Sequence, residues 1–263
     1  MTVDAVFEFK DGVATATPHA AGPWDPSMQH GGAPSALIAW VVEAIPTAVP
    51  MQVVRMTIDL LRPVPVGPLS VRQEVVREGR KIQLCSVSLF SGDKEVTRAS
   101  VLKIRAGDYA ELEGKSVETE ILLPGVEQSK PIAETVRRSS GFISGLEVRN
   151  SKGGFDLLGA RGPGAVWFRS VRPIVAGEAN SPLMRAAMTA DFSNGVSSAL
   201  GEGWTFLNGD LSINLVRMPV GEWILLEAET WLDPAGTGMA AGRLADEQGY
   251  FGRCIQSLVV EKR

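Results

Sequence analysis

The chain of 263 residues is poor in several residue types on which particular chemistries depend. It holds two cysteines, Cys85 and Cys254, and two histidines, His19 and His30. Four such residues do not easily build a zinc centre. The cysteines sit far apart in alternating apolar segments, as small buried hydrophobes rather than a disulfide. No metal or redox cofactor is expected. Apolar runs such as SALIAWVVEAI are too short and interrupted to span a bilayer. The start, MTVDAVFEFKDG, is acidic where a signal peptide would be basic and then apolar, so a cytoplasmic protein is expected. Basic charge is not in excess either: 26 Lys and Arg against 30 Asp and Glu leave a formal net charge of −4. That balance offers no footprint for a phosphate backbone, and nucleic acid is not an expected partner. The stretch VSSAL lacks the flanking glycine that a nucleophile elbow needs after Ser197, which argues against a serine hydrolase. RNSKGGFDLLGARGPGA has no phosphate-loop order and reads as a surface loop.

What is present is an ordinary packed composition, 44% hydrophobic and 21% charged, and an internal repeat. TIDLLRPVPVGPLSV (57 to 71) resembles LSINLVRMPVGEWILL (211 to 226): Arg62 answers Arg217, at 217 − 62 = 155, and Pro65-Val66-Gly67 answers Pro219-Val220-Gly221. EVTRASVLKIR (95 to 105) matches YFGRCIQSLVV (250 to 260), with Arg98 against Arg253 at the same offset. Each half opens with short strands, continues with one apolar helix, GGAPSALIAWVVEAI or SPLMRAAMTADFSNGVSSAL, and ends in three strands of period-2 patterning broken by turns such as EGR and SGD. One helix against a long antiparallel sheet is an α+β layer arrangement, and a helix wrapped by a sheet is apolar nearly all round. The polar, weakly periodic stretch 111–149 reads as a linker with one helical turn near Pro131 to Arg138. The expected units are 1–110 and 150–263.

The order of strand, HGG helix and LLRPVPVGPLSV strand, repeated once, resembles the double hotdog acyl-CoA thioesterases of the type II (TesB-like) group. The resemblance implies two tandem hotdog units that form a continuous antiparallel sheet around two central helices, an acyl-CoA substrate and thioester hydrolysis. It also poses a question of its own. His30, Gly31 and Gly32 open an apolar helix, although glycine is a poor helix former. A helix N-terminus supplies N–H donors for the oxyanion of a tetrahedral transition state, and glycine lets a substrate approach the backbone; a tight turn with positive φ is the plain alternative. In similar single hotdog thioesterases an acid follows the His by nine positions, and here that position is Ala39. The second helix carries an acid, Asp191, in mid-stretch, but Pro182 stands nine before it and the glycine pair is missing. Each half keeps what the other lost, which predicts one working and one decayed site per chain.

In type II thioesterases an Asp, a hydroxyl or amide residue and a Gln hold the attacking water. The resemblance places these roles on Asp191, Asn208, where family members carry Thr, and Gln256. It places the oxyanion donors on Gly32 with Gly31 or Ala33, His30 braces the loop or touches the ligand, the acyl chain lies in the seam between the helices, and the adenine end lies near the Arg62 or Arg217 turn. Two other readings stay open: a hotdog hydratase, for which Asp25 and His30 keep the required spacing while Ser27 and Met28 replace Asn and Pro, and an acyl-CoA-binding protein without activity. A homo-oligomer is expected through sheet surface around Trp167, Trp223 and Trp231.

Overall fold

The computed structural model describes residues 4–112, 114–115, 120–132, 141–153, 162–201 and 203–262. Its centre is α1 (Gly32–Glu43), of whose twelve residues ten are buried, so neither flank faces water. Pro34 falls in the first turn, where its missing N–H breaks no helical bond. Beside it lies α2 (Pro182–Ala190), started by Ser181, whose hydroxyl accepts from the Met184 N–H. The two helices run antiparallel. Ser181 at the start of α2 donates to Glu43 Oε2 at the end of α1, at 2.5 Å, and the start of α1 lies against the last turn of α2. A Cβ on Gly32 would sit 3.0 Å from the Met188 carbonyl oxygen. Small residues on both helices, Ala33 and Ala36 on one and Ala186, Ala187 and Ala190 on the other, are fully buried and leave room for this approach.

The second apolar segment is not one helix. It breaks after Ala190, and a five-residue helix, α3 (Ser193–Ser197), follows. Asp191 is therefore the C-cap of α2 and not a mid-helix residue. The physical reason lies in the next residues: Ser193 turns its hydroxyl back onto the Ala190 carbonyl at 2.8 Å, and Ser, Asn and Gly are weak helix formers.

Fourteen strands among the described residues form one sheet. The first six are β1 (Phe7–Lys10), β2 (Val13–Ala16), β3 (Met51–Leu60), β4 (Pro68–Arg77), β5 (Ile82–Ser91) and β6 (Lys94–Arg105). The others are β7 (Lys130–Pro131), β8 (Leu146–Lys152), β9 (Gly164–Ser170), β10 (Trp204–Asn208), β11 (Asp210–Leu215), β12 (Ile224–Asp233), β13 (Thr237–Asp246) and β14 (Gly249–Lys262). The order is β1-β2-β4-β5-β6-β3-β11-β14-β13-β12-β9-β8-β7, with β10 also on β14, and these pairs are antiparallel. The first half's run β4-β5-β6-β3 reappears reversed as β11-β14-β13-β12. At the seam, Ser212 stands opposite Thr57, two residues separated by the repeat offset itself. Ile213 faces Met56 and Leu211 faces Ile58, each pair the repeat image of the other. The repeated stretches thus pair with one another about a local two-fold axis.

The stretch 111–149 is not wholly outside the sheet. Lys130 and Pro131 pair with β8, a short 3₁₀ turn covers Phe142–Gly145, and the helical turn expected to Arg138 falls outside the described residues from 133 onward. The same stretch overturns one expectation about the surface. Trp167 is 1% exposed, because its outer side is covered by Ile121, Leu123 and Val126 and its indole N–H donates to the Pro124 carbonyl at 3.0 Å. Trp231 is exposed, and Trp223 is partly covered under Arg149 and Arg169. Among the described residues no helix is long and apolar enough to cross a membrane.

The helix contact generates a test. Gly32→Val would drive side-chain atoms into the Met188 carbonyl and the Phe142 ring, each 3.0 Å from the Cβ position. A loss of about 1–3 kcal/mol in folding stability is expected. Thermal unfolding of the variant measures it, and an unchanged Tm would show that the helices are not held at this distance.

Candidate active site

The Asp191 carboxylate, placed at the break between α2 and α3, is buried, and three elements of the chain converge on it. From β10, the Asn208 amide donates to Oδ1 at 2.9 Å. From β14, the Gln256 Nε2 donates to the Asp191 carbonyl at 3.0 Å and lies 3.3 Å from Oδ1. The Gln256 side chain is fully buried, and its Oε1 accepts from the Asn194 N–H at 3.1 Å, so its amide can point only one way. From the segment before α1, His30 Nδ1 stands 3.1 Å from Oδ2. The same Nδ1 lies 3.0 Å from the Gly32 nitrogen. One ring nitrogen serves only one of these contacts: protonated, it donates to Asp191; unprotonated, it accepts from Gly32. The imidazole is held between Phe142 and Phe192, with ring centroids 5.2 and 4.4 Å away.

The glycine pair now has a cause. Gly31 has φ −59° and ψ −25°, and neither glycine is among those with positive φ, so the tight-turn explanation does not hold. A Cβ on Gly31 would fall 2.6 and 2.8 Å from the two carboxylate oxygens of Asp191. The space that the missing side chain leaves is filled by the acid from the other half of the chain. Gly32 is spared a side chain for α2. Direct approach of a substrate does not explain the pair, since protein atoms already occupy the vacated space.

A cavity of about 580 Å³ opens beside this cluster, lined by His30, Gly31, Asp191, Asn194 and Asn208 on one side and by apolar groups such as Met28, Leu60, Pro63, Phe206 and Val259 on the other. It lies at the start of α1, between 22–29 and 60–64, and not along the helix seam, which is packed to contact. Trp24 and Phe206 meet edge to face at its rim, 5.7 Å apart, and Arg62 lines it too. Arg217 does not. Both of its terminal nitrogens are engaged by the buried Asp246 carboxylate, whose pKa ends below its ordinary value although burial alone would raise it, because Arg217 and the Val220 and Gln248 N–H groups bind it.

Of the residues expected at the site, Asp191, Asn208, Gln256, His30 and Gly31 are brought together. Ala33 is not: it is fully buried and its N–H is taken by the His30 carbonyl at 2.9 Å. Gly32 is buried under α2 with its N–H near His30, while no described residue accepts from the Gly31 N–H. Asp25 and His30, the pair a hydratase would use, both line the cavity; Asp25 Oδ1 accepts from the Ser27 N–H and hydroxyl at 2.8 and 2.7 Å, and His30 turns its Nδ1 to Asp191. Sequence reasoning missed Asn194, which orients Gln256, and Phe142 and Phe192, which flank His30. Phe142 carries no signal, because it stands in the stretch read as linker. Cys254, two residues before Gln256 on the same face of β14, is no competing nucleophile. Burial pushes its thiol up to about 12, which leaves no thiolate at neutral pH. Among the described residues no group of three or more His, Cys, Asp or Glu could hold a metal ion.

Comparison with known families covers both halves of the chain. A model of the acyl-CoA thioesterase C-terminal domain matches residues 126–260, and one of the N-terminal domain matches residues 20–104. The chain belongs to the acyl-CoA thioesterase family. It is by that membership a hydrolase acting on thioester bonds. Among curated proteins none matches. A hot dog fold protein of unknown function from Alicyclobacillus acidocaldarius is similar over 99% of this chain and 97% of its own, with TM-score 0.77 at 15% identity. The acyl-CoA thioesterase II TesB2 from Mycobacterium marinum aligns over 88% of both chains, with TM-score 0.64 at 16% identity. A structure from Novosphingobium aromaticivorans aligns over 97% and 98%, with TM-score 0.75 at 20% identity. At such identities the likeness concerns the hotdog fold alone.

The fit of Asp191 beside Gly31 is open to a direct check in this thioesterase. Gly31→Ala must displace the carboxylate, and if Asp191 acts on the substrate, a shift on the order of 1 Å costs roughly a hundredfold in rate. Hydrolysis of an acyl-CoA followed by free thiol should fall by about that factor in a protein that stays folded. Full kcat/KM in the variant would mean that the position of the carboxylate is immaterial.

Proposed function

We propose that the chain hydrolyses acyl-CoA to a carboxylic acid and CoA by attack of a water that Asp191 positions and deprotonates. The observation that carries this reading is a buried carboxylate held on one oxygen by two amides, Asn208 and Gln256, at the wall of a largely apolar cavity. A carboxylate in such surroundings is costly to keep unless it has partners or a task. Here the amide donors fix Oδ1, and the second oxygen lies beside His30. Asn208 donates through its nitrogen, so its amide oxygen is left as a further acceptor for the same water. It fills the role that Thr has elsewhere in the family.

Attack on the carbonyl carbon places negative charge on the thioester oxygen. The Gly31 N–H, unclaimed by a described residue at the start of α1, is the donor we assign to it, aided by the positive end of the helix dipole. This differs from an assignment to Ala33, whose N–H is taken by the His30 carbonyl, or to Gly32, whose N–H points at His30 Nδ1. Asp191 takes the proton of the attacking water; collapse of the tetrahedral intermediate breaks the C–S bond, and the proton passes to the departing thiolate. The acyl chain is read into the apolar side of the cavity and the pantetheine arm toward the rim at Trp24, Phe206 and Arg62. In the same reading residues 1–110 and 150–263 are two tandem hotdog units around α1 and α2, joined by 111–149, with one working site per chain.

Asp191→Asn tests the role of the acid while its amide keeps much of the hydrogen-bonding shape. Loss of a positioned proton-transfer group is expected to lower kcat by a factor on the order of 10² to 10⁴, with a Tm close to that of the parent. Hydrolysis at the parent rate in the folded variant would remove Asp191 from the mechanism.

A further inference from the structure

A second cavity of about 550 Å³ lies on the sheet, and residues of β3, β6, β11, β13 and β14 line it. Part of its outline repeats that of the first. Leu60, Leu61, Gly209 and Val259 of the first cavity correspond at the offset of 155 to Leu215, Val216, Val54 and Ile104, all of which line the second. The catalytic amides have no counterpart there. Gln256 is answered by Val101 and Asn208 by Val53, both buried apolar residues. The repeat positions of His30, Gly31, Asp191 and Asn194, which are Arg185, Ala186, Ala36 and Ala39, line no part of it.

Its polar lining is cationic. Arg243 faces Arg253 across β13 and β14, Arg253 faces Asn214 across β14 and β11, and Asn214 faces Arg55 across β11 and β3. Three arginines and one asparagine thus stand in a single cross-strand row over the seam between the two halves. Arg243 and Arg253 stand directly opposite one another, where like charges repel, and an anion against the row relieves that repulsion. Arg243 has one: Glu227 is 3.5 Å away, and its guanidinium stacks on Tyr250. Arg253 has no carboxylate partner among the described residues. Arg55 makes one long contact, 3.4 Å to the Ser100 hydroxyl, and its Nε is buried with no partner. Beside these lie the apolar side chains of Leu102, Ile104, Leu215 and Val216.

We propose that this cavity is a non-catalytic binding site for an amphiphilic anion of the reaction's own substrate or product class, with its charged group on Arg55 and Arg253 and its apolar part along Leu102, Ile104 and Val216. The inference rests on the reading of the first cavity as the substrate site, because the amphiphilic anion that this chain handles is the one read into that cavity; the arginines and apolar side chains of the second supply the matching chemistry. An arginine pair takes a carboxylate or a phosphate equally well. The charged group is therefore that of the fatty carboxylate released by hydrolysis or of the nucleotide end of CoA.

The test uses the full chain carrying Asp191→Asn, so that nothing is hydrolysed, and titrates it calorimetrically with dodecanoate, with CoA and with dodecanoyl-CoA. Two binding events per chain are expected for dodecanoyl-CoA. One of them should weaken by about tenfold or more, the loss that accompanies removal of a charge-assisted hydrogen bond, when Arg55→Gln and Arg253→Gln are added. Val216→Glu, at an exposed position of the mouth, should weaken the same event by repulsion and guards against a fold defect in the arginine variant. A second event shared with dodecanoate assigns the carboxylate, and one shared with CoA assigns the phosphates. In the chain with Asp191 intact, the same substitutions should leave kcat/KM for a short acyl-CoA unchanged, which separates this site from the catalytic one. A single binding event, or two that are indifferent to Arg55, Arg253 and Val216, would overturn the proposal. The reading of the first cavity would fail separately, through undiminished hydrolysis by Asp191→Asn.

Discussion

The carboxylate of Asp191 sits in the volume that a side chain at Gly31 would need, and much of the molecule is arranged around that coincidence. To bring an acid from the second half against the backbone of the first, α1 and α2 must pack antiparallel with almost no side chain between them. The glycine at 32 and the alanines on both helices permit it. The acid must also stand where α2 ends, because a residue inside the helix would have its backbone committed and its side chain pointed along the helix surface. Once buried, a carboxylate demands donors. Two strands of the sheet supply them, and Gln256 is itself locked by the first turn of α3.

The same packing explains why the two halves of the chain can differ. The repeat is realised as a local two-fold at the pairing of Thr57 with Ser212, and in a symmetric assembly every position would have to serve both sites. Fusion removes that obligation. One half carries Asn208 and Gln256 beside the acid, while at their repeat positions Val53 and Val101 are part of the core. Burying valine there contributes the usual hydrophobic stabilisation, whereas an amide without a charge to bind would be left unsatisfied. Valine at these two positions is thus favourable for folding. The half that carries Asp191 accepts the cost of a buried acid.

Much of this was legible in the residues alone. The offset of 155, the two apolar helices and the period-2 strands define an antiparallel sheet carrying helices, since these are local patterns that burial imposes on any chain. The roles expected for Asp191, Asn208 and Gln256 came from likeness to a family, and the three do converge in space. Legibility ended where distant segments meet. Nothing near Trp167 announces that residues 121–126 will cover it, and nothing near Phe142 announces a contact with His30. The break after Ala190 turns on a hydroxyl that competes with the backbone, a balance of small terms that propensity does not resolve.

By itself the sequence determined the periodicities, the duplication and the residue types available for catalysis, because each of these is carried by neighbours along the chain. Only the tertiary structure decided what the glycines are for. Gly31 and Gly32 read equally well as a turn, as a port for substrate or as a helix start. The choice depends on which atoms from 160 residues away fill the vacated space, and close packing allows only one occupant of a given volume.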